Sequence, residues 1–418
     1  MKIPWKKILI LVGFIAVVAV IAFGLYYFFF KSAITPSRPA YIQEGEGLKP
    51  GELPQVINAN ARPEANVNVN AGLPAVGQIA AKPSSVARGG LTQTNRLTDG
   101  PVKGAIVAPD GSLIYYDEAT GKFYRRLKNG ALVELSGKIF HNVENITWAK
   151  GANQAILEYP DGSNIMYNFD ENKQYTLPKE MQDFSFSDTG GSIAAEIIGP
   201  NEENNWLVTA NPNGTGIKFV EQIGDKMDDV LVDWSPNSQV VAAYRESYDA
   251  NRQEVILIGQ NHENFKSFIP QGRGFESQWT PEGDKLLYSV YNSDENFRPK
   301  LWLANAGANN FGYNNISLNL NTWAHKCTVN QNSTAAYCAV PEELPLGSAW
   351  YPELADGIRD DFYYIDLATG RYTLLAIPSG DLTHSASQVY LAPDEDELYF
   401  VDQTDNNVYS IDLPSTTN

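Results

Sequence analysis

A short phrase recurs seven times after residue 100 and limits what this chain can fold into. It reads aromatic or apolar residue, then Ser, Thr or Ala, then a Pro/Asp/Asn/Gly turn, then an apolar run. Clear copies are Val107-Ala108-Pro109-Asp110-Gly111, Trp148-Ala149-Lys150-Gly151, Phe186-Ser187-Asp188-Thr189-Gly190 and Trp234-Ser235-Pro236-Asn237. Trp279-Thr280-Pro281-Glu282-Gly283, Cys327-Thr328-Val329-Asn330 and Leu391-Ala392-Pro393-Asp394 complete the set. Successive copies lie roughly forty to fifty residues apart, with a wider last interval. A repeat of that length with hairpin chemistry in every unit predicts a propeller with one four-stranded blade per unit.

Each phrase is followed by a further pair of strand-like runs joined by a polar turn. Glu254-Val255-Ile256-Leu257-Ile258 precedes Phe265-Lys266-Ser267-Phe268-Ile269, and Phe362-Tyr363-Tyr364-Ile365-Asp366 precedes Arg371-Tyr372-Thr373-Leu374-Leu375. Runs rich in Val, Ile, Tyr and Phe, separated by residues that accept tight-turn angles, are strands in a hairpin array. The 33 Gly and 24 Pro of the chain argue against a helical alternative. The fold class is therefore all-β, a seven-bladed β-propeller over residues 91–418.

The seventh unit reaches its third strand at Val408-Tyr409-Ser410-Ile411-Asp412-Leu413. Only Pro414 to Asn418 follow, too few for a fourth strand. An open edge there would be a liability. Residues 91–98 are expected to close the ring as the outer strand of the last blade.

The phrases Trp234-Ser235-Pro236-Asn237-Ser238-Gln239-Val240-Val241-Ala242 and Trp279-Thr280-Pro281-Glu282-Gly283-Asp284-Lys285-Leu286-Leu287-Tyr288 resemble the repeats of TolB-like and WD40-like bacterial propellers. Asp366-Leu367-Ala368-Thr369-Gly370 is similar to the turn between the third and fourth strands of those repeats. The resemblance covers residues 91–418 and speaks to fold, not activity. The segment Lys326-Cys327 to Tyr337-Cys338-Ala339-Val340-Pro341 also resembles membrane-anchored bacterial propellers with a Cys pair in a late blade.

Residues 8–30 are uncharged and apolar. At 1.5 Å per residue they extend roughly 34 Å as a helix, enough for a bilayer core of about 30 Å. Lys2, Lys6 and Lys7 precede the run, and Lys31 and Arg38 follow it. That bias predicts a single transmembrane signal anchor (residues 1–31), with the N-terminus in the cytoplasm and the propeller extracytoplasmic. Phe30-Lys31-Ser32-Ala33 is a poor cleavage site for a signal peptide. Residues 32–90, dominated by Pro, Ala, Asn, Gly and Val, read as a disordered flexible linker.

The formal net charge is −18, and the acidic excess lies after residue 100. Such a domain repels nucleic acid and anionic headgroups, so no nucleic-acid partner is expected. The two cysteines, Cys327 and Cys338, fall on the first two strands of the sixth unit. An even count in an exported domain favours a disulfide. Two buried free thiols are the alternative reading.

Catalytic signals are poor. The four histidines, His141, His262, His325 and His384, have no metal-ligand spacing, and no Gly-x-Ser-x-Gly elbow or phosphate loop occurs. The carboxylate-rich runs at residues 394–397 and 402–405, and Asp356 and Asp360-Asp361, lack a calcium-loop spacing and read as turn formers. No catalytic residue, metal or cofactor is assigned, and enzymatic activity is left open.

Loop length is the better guide. Loops joining second to third strands emerge on one face of a propeller, and three in succession are long: residues 244–253, 291–300 and 341–360. They carry Arg245, Tyr248, Tyr291, Phe297, Arg298, Trp350 and Tyr351. Aromatic residues and Arg dominate interface energetics, and long loops in compact folds are often functional. The competing reading is that these aromatics fold back over their own blades. The expected function is a membrane-anchored interaction scaffold for another envelope protein. A central channel that binds or cleaves (as a lyase or hydrolase) a carbohydrate or peptidoglycan fragment, or a structural subunit of a membrane assembly, is the alternative.

Overall fold

The computed structural model describes residues 82–261, 263, 265–380 and 383–414. The expected anchor at residues 8–30 and most of the expected linker lie outside the described residues. Among the described residues no helix is long and apolar enough to cross a membrane.

Seven sheets follow one another along the chain, one per repeat, antiparallel except at one edge of blade six. Blade one is representative: Val102–Val107, Leu113–Asp117, Lys122–Arg126 and Leu132–Glu134, from the innermost strand outward. The innermost strands of blades two to seven are Asn145–Trp148, Met181–Phe186, Val230–Val232, Arg273–Trp279, Cys327–Val329 and Ala386–Leu391.

Six of the seven copies of the recurring phrase form the turn between a first and a second strand; in the sixth, Cys327–Val329 is itself the first strand and the turn begins at Asn330. Their small polar residue is structural. Ser235 is wholly buried, and its Oγ accepts the N–H groups of Gln239 and Val240 at 3.2 and 2.9 Å. Thr280, also wholly buried, does the same for Lys285 at 3.3 Å. A hydroxyl that satisfies turn amides lets the chain reverse inside the ring without stranding buried donors.

Adjoining blades interlock through apolar side chains. Phe123 of blade one is fully buried and meets Phe140, Trp148 and Phe169 edge-on, with centroids 5.2, 5.6 and 5.0 Å away. Burial of one such ring contributes about 1.5–3 kcal/mol. The Trp148 indole N–H donates to the Gly104 carbonyl of blade one at 2.7 Å. The repeat tryptophan of blade two thus stitches two blades together.

Two blades depart from the expected pattern. In blade four the run Phe265–Ile269 does not form a fourth strand; only Phe268 pairs, with Val255. Phe265 and Phe268 both pack into the core, and residues three apart cannot share one face of a strand with period two. Closure also differs in part. Asn95–Arg96 joins Val408–Asp412 as the outer strand of blade seven, as expected. Gly90–Gln93 instead runs parallel to Tyr372–Ser379 and becomes a fifth strand on blade six. The terminal segment is a strap across the seam between the two blades.

Thr94 marks the crossing point. Its hydroxyl lies 3.1 Å from Nε2 of His384, whose Nδ1 lies 2.6 Å from Asp402. His384 and Asp402 are both buried. Upstream, Ala87 is wholly buried and its N–H donates to Asp412 at 2.9 Å.

Candidate functional site: the loop face and channel mouth

Second strands end, and first strands begin, on the face that carries the loops between second and third strands. That face therefore holds both the long loops and one mouth of the central channel. Extended strands shorten the first loop. Val240–Ser247 and Gln253–Gly259 leave only residues 248–252 as a turn. Arg245 and Tyr291 accordingly lie on strands.

The seven expected binding residues do not form one patch. Arg245 is half-buried at the channel, where its guanidinium donates to the carbonyls of Phe275, Asp229 and Asp228 at 3.3, 3.4 and 2.5 Å. It clamps blade four to blade five. Tyr248 is exposed, with the Arg252 guanidinium 5.0 Å from its ring centroid. Arg298 lines a separate cleft of about 460 Å³ with Glu342 and Asp361.

Tyr291, Phe297 and Trp350 do come together. Phe297 stacks on Trp350, and Tyr291 meets Trp350 edge-on with centroids 6.1 Å apart. The backbones follow: Gly347 and Ala349 donate to Asn296 and Phe297, each at 3.0 Å. Asn296 and Phe297 both adopt left-handed angles, φ 56° and 52°. The loops of blades five and six are thus locked to each other. Part of the aromatic surface folds back, and the rest faces out. Leu346, Trp350, Tyr351 and Leu354 remain 66, 50, 58 and 45 % exposed. Leu346 and Leu354 carry no signal in the sequence that sets them apart from core leucines, whereas the aromatics and Arg of the same loops do.

The loop is anchored below by Lys326 and Asp360. The Lys326 ammonium donates to both carboxylate oxygens, at 2.9 and 2.7 Å, and both side chains are buried. The N–H of Ala386 in blade seven donates to the same carboxylate at 2.6 Å. Cys327 and Cys338 face each other across the first two strands of blade six and form a disulfide, their Cα atoms 4.0 Å apart.

The channel encloses about 1090 Å³ and is acidic. Glu158, Asp183, Asp228, Asp233 and Glu276 line it against Lys150, Arg245 and His325. His325 Nδ1 lies 2.8 Å from Glu276. Burial, with Asp183 and Glu144 nearby, pushes the Glu158 carboxyl up to about 7. Burial, with Asp183 and Asp228 nearby, does the same for Glu196 behind the wall, also to about 7. Glu196 is wholly buried and faces Gln182 across the sheet.

Asp183 is the unusual residue of this ring. It sits at a bulge in its strand with φ 53°. Blades one and five have the same bulge, and glycine occupies it there, Gly104 at φ 52° and Gly274 at φ 64°. A left-handed aspartate costs about 1 kcal/mol over glycine, and here it exposes a carboxylate at the channel wall.

The other carboxylate runs are held by structural contacts. Asp394 and Asp396 pair with Lys128, and the Tyr409 hydroxyl donates to Asp405 at 2.8 Å. Among the described residues no group of three or more His, Cys, Asp or Glu is placed to share a metal.

No family model and no curated protein matches the chain. Solved structures do. An oligogalacturonate lyase in complex with manganese aligns over 77 % of this chain and 93 % of its own, with TM-score 0.55 and 11 % identity. The oligogalacturonate lyase of Vibrio parahaemolyticus aligns over 78 % and 94 %, with TM-score 0.53 and 11 % identity. The Cps50 (Swd1) β-propeller domain of Myceliophteria thermophila aligns over 77 % and 98 %, with TM-score 0.50 and 9 % identity. At such identities the likeness speaks to architecture alone, and the described part of this chain is a seven-bladed β-propeller.

Proposed function

We propose that this chain is an interaction scaffold whose loop face on blades five and six binds another protein. One observation carries the reading: Leu346, Trp350, Tyr351 and Leu354 stand exposed on a single loop. That loop's backbone is fixed by hydrogen bonds to its neighbour. Contiguous exposed apolar groups on an ordered support are what a protein interface needs, because little ordering entropy is left to lose on binding. The TolB-like character of the repeats and the apolar run at residues 8–30 support a membrane-tethered, extracytoplasmic propeller. The partner is then a protein of the cell envelope.

The channel supports a second reading, a small ligand held near Asp183. The structural neighbours named for oligogalacturonate lyase suggest a sugar. A polyanionic sugar fits poorly here, because the lining carboxylates outnumber the cations and would repel it. A neutral or cationic ligand suits the charge.

In-cell crosslinking of the tagged full-length chain, followed by mass spectrometry, tests the scaffold reading. It is run beside a variant with Leu346, Trp350 and Tyr351 changed to Ala. A discrete partner lost in the variant supports the scaffold. The same partner retained, or no protein partner in either sample, overturns it and turns the search to channel ligands.

A further inference from the structure

Blade four has a gap in its outer edge. Its third strand, Gln253–Gly259, is the last of a three-stranded sheet. Outward-facing backbone groups alternate along it. Gln253 donates to Gly272 at 3.1 Å, and Val255 exchanges bonds with Phe268 at 2.8 and 2.9 Å. The same alternation turns the N–H and C=O of Leu257 outward. Among the described residues no backbone group pairs with them.

A groove of about 650 Å³ lies beside this stretch, between blades three and four. Val220, Ile223, Tyr244, Ile256, Ile258 and Phe265 give it apolar walls. An ordinary blade would fill this space with the side chains of its fourth strand. The rim is acidic. Glu221 and Asp225 are exposed and make no ion pair among the described residues. The nearby cation, Lys226, is engaged by the Tyr244 hydroxyl at 2.6 Å and Glu246 at 3.8 Å.

We propose that this groove takes an extended segment of a partner protein as the missing fourth strand, with apolar residues alternating with Lys or Arg. Backbone bonds at Leu257 give the segment its direction, and its inward side chains fill the apolar pocket. Its outward basic groups meet Glu221 and Asp225. Like charge on this acidic chain argues against a second copy as the occupant. The site is distinct from the Trp350 loop in both place and chemistry.

The probe is a capped hexapeptide of alternating Lys and Val, added to the full-length chain, with the corresponding Glu–Val peptide as control. Hydrogen–deuterium exchange reads the Leu257 amide. At saturating Lys–Val peptide its exchange slows at least tenfold, and the Glu–Val peptide leaves it unchanged. Glu221→Lys with Asp225→Lys, two surface changes, weakens the Lys–Val response at least fivefold. Trp350→Ala leaves that response intact. The proposal is overturned if Leu257 shows no slowing, or if both peptides protect it equally. Protection confined to the channel or the Trp350 loop also overturns it. So does concentration-dependent protection of Leu257 without peptide, which would make a second copy the occupant.

Discussion

Phe297 and Trp350 stack with ring centroids 3.9 Å apart and planes 21° from parallel, joining the loops of two different blades. Trp350 is also half exposed, so it both braces the loop and presents a face to solvent, where the proposed partner would bind. Trp350→Ala should cost about 1 kcal/mol of stability, the scale of one aromatic pair. It should weaken partner binding by at least tenfold, the scale of an interface hot spot. Thermal unfolding and binding measured on the same preparation separate the two effects. Equal binding in the variant would remove Trp350 from the interface.

Asp183 should be a stability liability. Asp183→Gly relieves a left-handed aspartate and removes a carboxylate that disfavours ionisation of Glu158 and Glu196. The variant should gain about 1 kcal/mol from the backbone alone. Denaturant unfolding measures the gain. A loss of stability would mean that the Asp183 side chain supports its own bulge.

The same carboxyls set a pH dependence with a definite sign. Glu158 and Glu196 sit at about 7 in the folded chain, against 4.5 for an unperturbed Glu. Between those values the folded chain holds more protons than the unfolded one. Stability therefore falls as pH rises from about 4.5 to about 7 and levels off above that. The unfolding midpoint should be several degrees lower at pH 8 than at pH 5. Glu196→Gln keeps the side-chain shape and should shrink that difference; an unchanged slope would place its origin elsewhere.

The disulfide closes a short loop within blade six. Loop-closure entropy assigns it about 3 kcal/mol. Replacing both Cys327 and Cys338 with Ser should lower stability by that order and leave the ring assembled. Circular dichroism and hydrogen exchange of the blade-six strands test this. Non-reducing mass spectrometry of the purified protein should show no free thiol.

The strap should be indispensable to the ring. A chain beginning at Leu97 loses both Gly90–Gln93 and Asn95–Arg96, and leaves two outer edges bare. It should unfold at least 10 °C lower and self-associate, as exposed edges invite. Thermal scans with light scattering are the measurement. Thr94→Val alone removes only the contact to His384 and should cost about 1 kcal/mol, the net value of one hydrogen bond.

Much of the ring was legible because its information is local. Each phrase from Val107 to Leu391 supplies its own turn residues, and six of the seven turns fall where the repeat places them; the blade-six turn starts three residues later, at Asn330. Cys327 and Cys338 were legible for the same reason, since one hairpin puts them in register. The strap was only half legible. Asn95–Arg96 follows the hairpin logic of blade seven, whereas Gly90–Gln93 pairs in parallel with a strand far along the chain. Parallel pairing leaves no turn signal to read. The gap in blade four was hidden because Phe265 and Phe268 look like strand residues until their spacing is set against the core they fill. The acidic channel was not legible at all. Glu158, Asp183 and Glu276 come from three repeats, and only closure of the ring brings them to one channel.

The strap also decides how the molecule carries load. Tension arriving from the N-terminal side meets the Ala87 bond to Asp412 and then Gly90–Gln93, where a parallel pair resists a lengthwise pull by shearing several bonds together. The two-residue pair at Asn95–Arg96 would otherwise peel open one bond at a time. Blade six takes the pull, and it is also the blade with the cystine crosslink and the Trp350 loop. A propeller built this way can be tugged at its N-terminal end without losing its closure, and any force that does get through falls first on blade six and its exposed Trp350 loop.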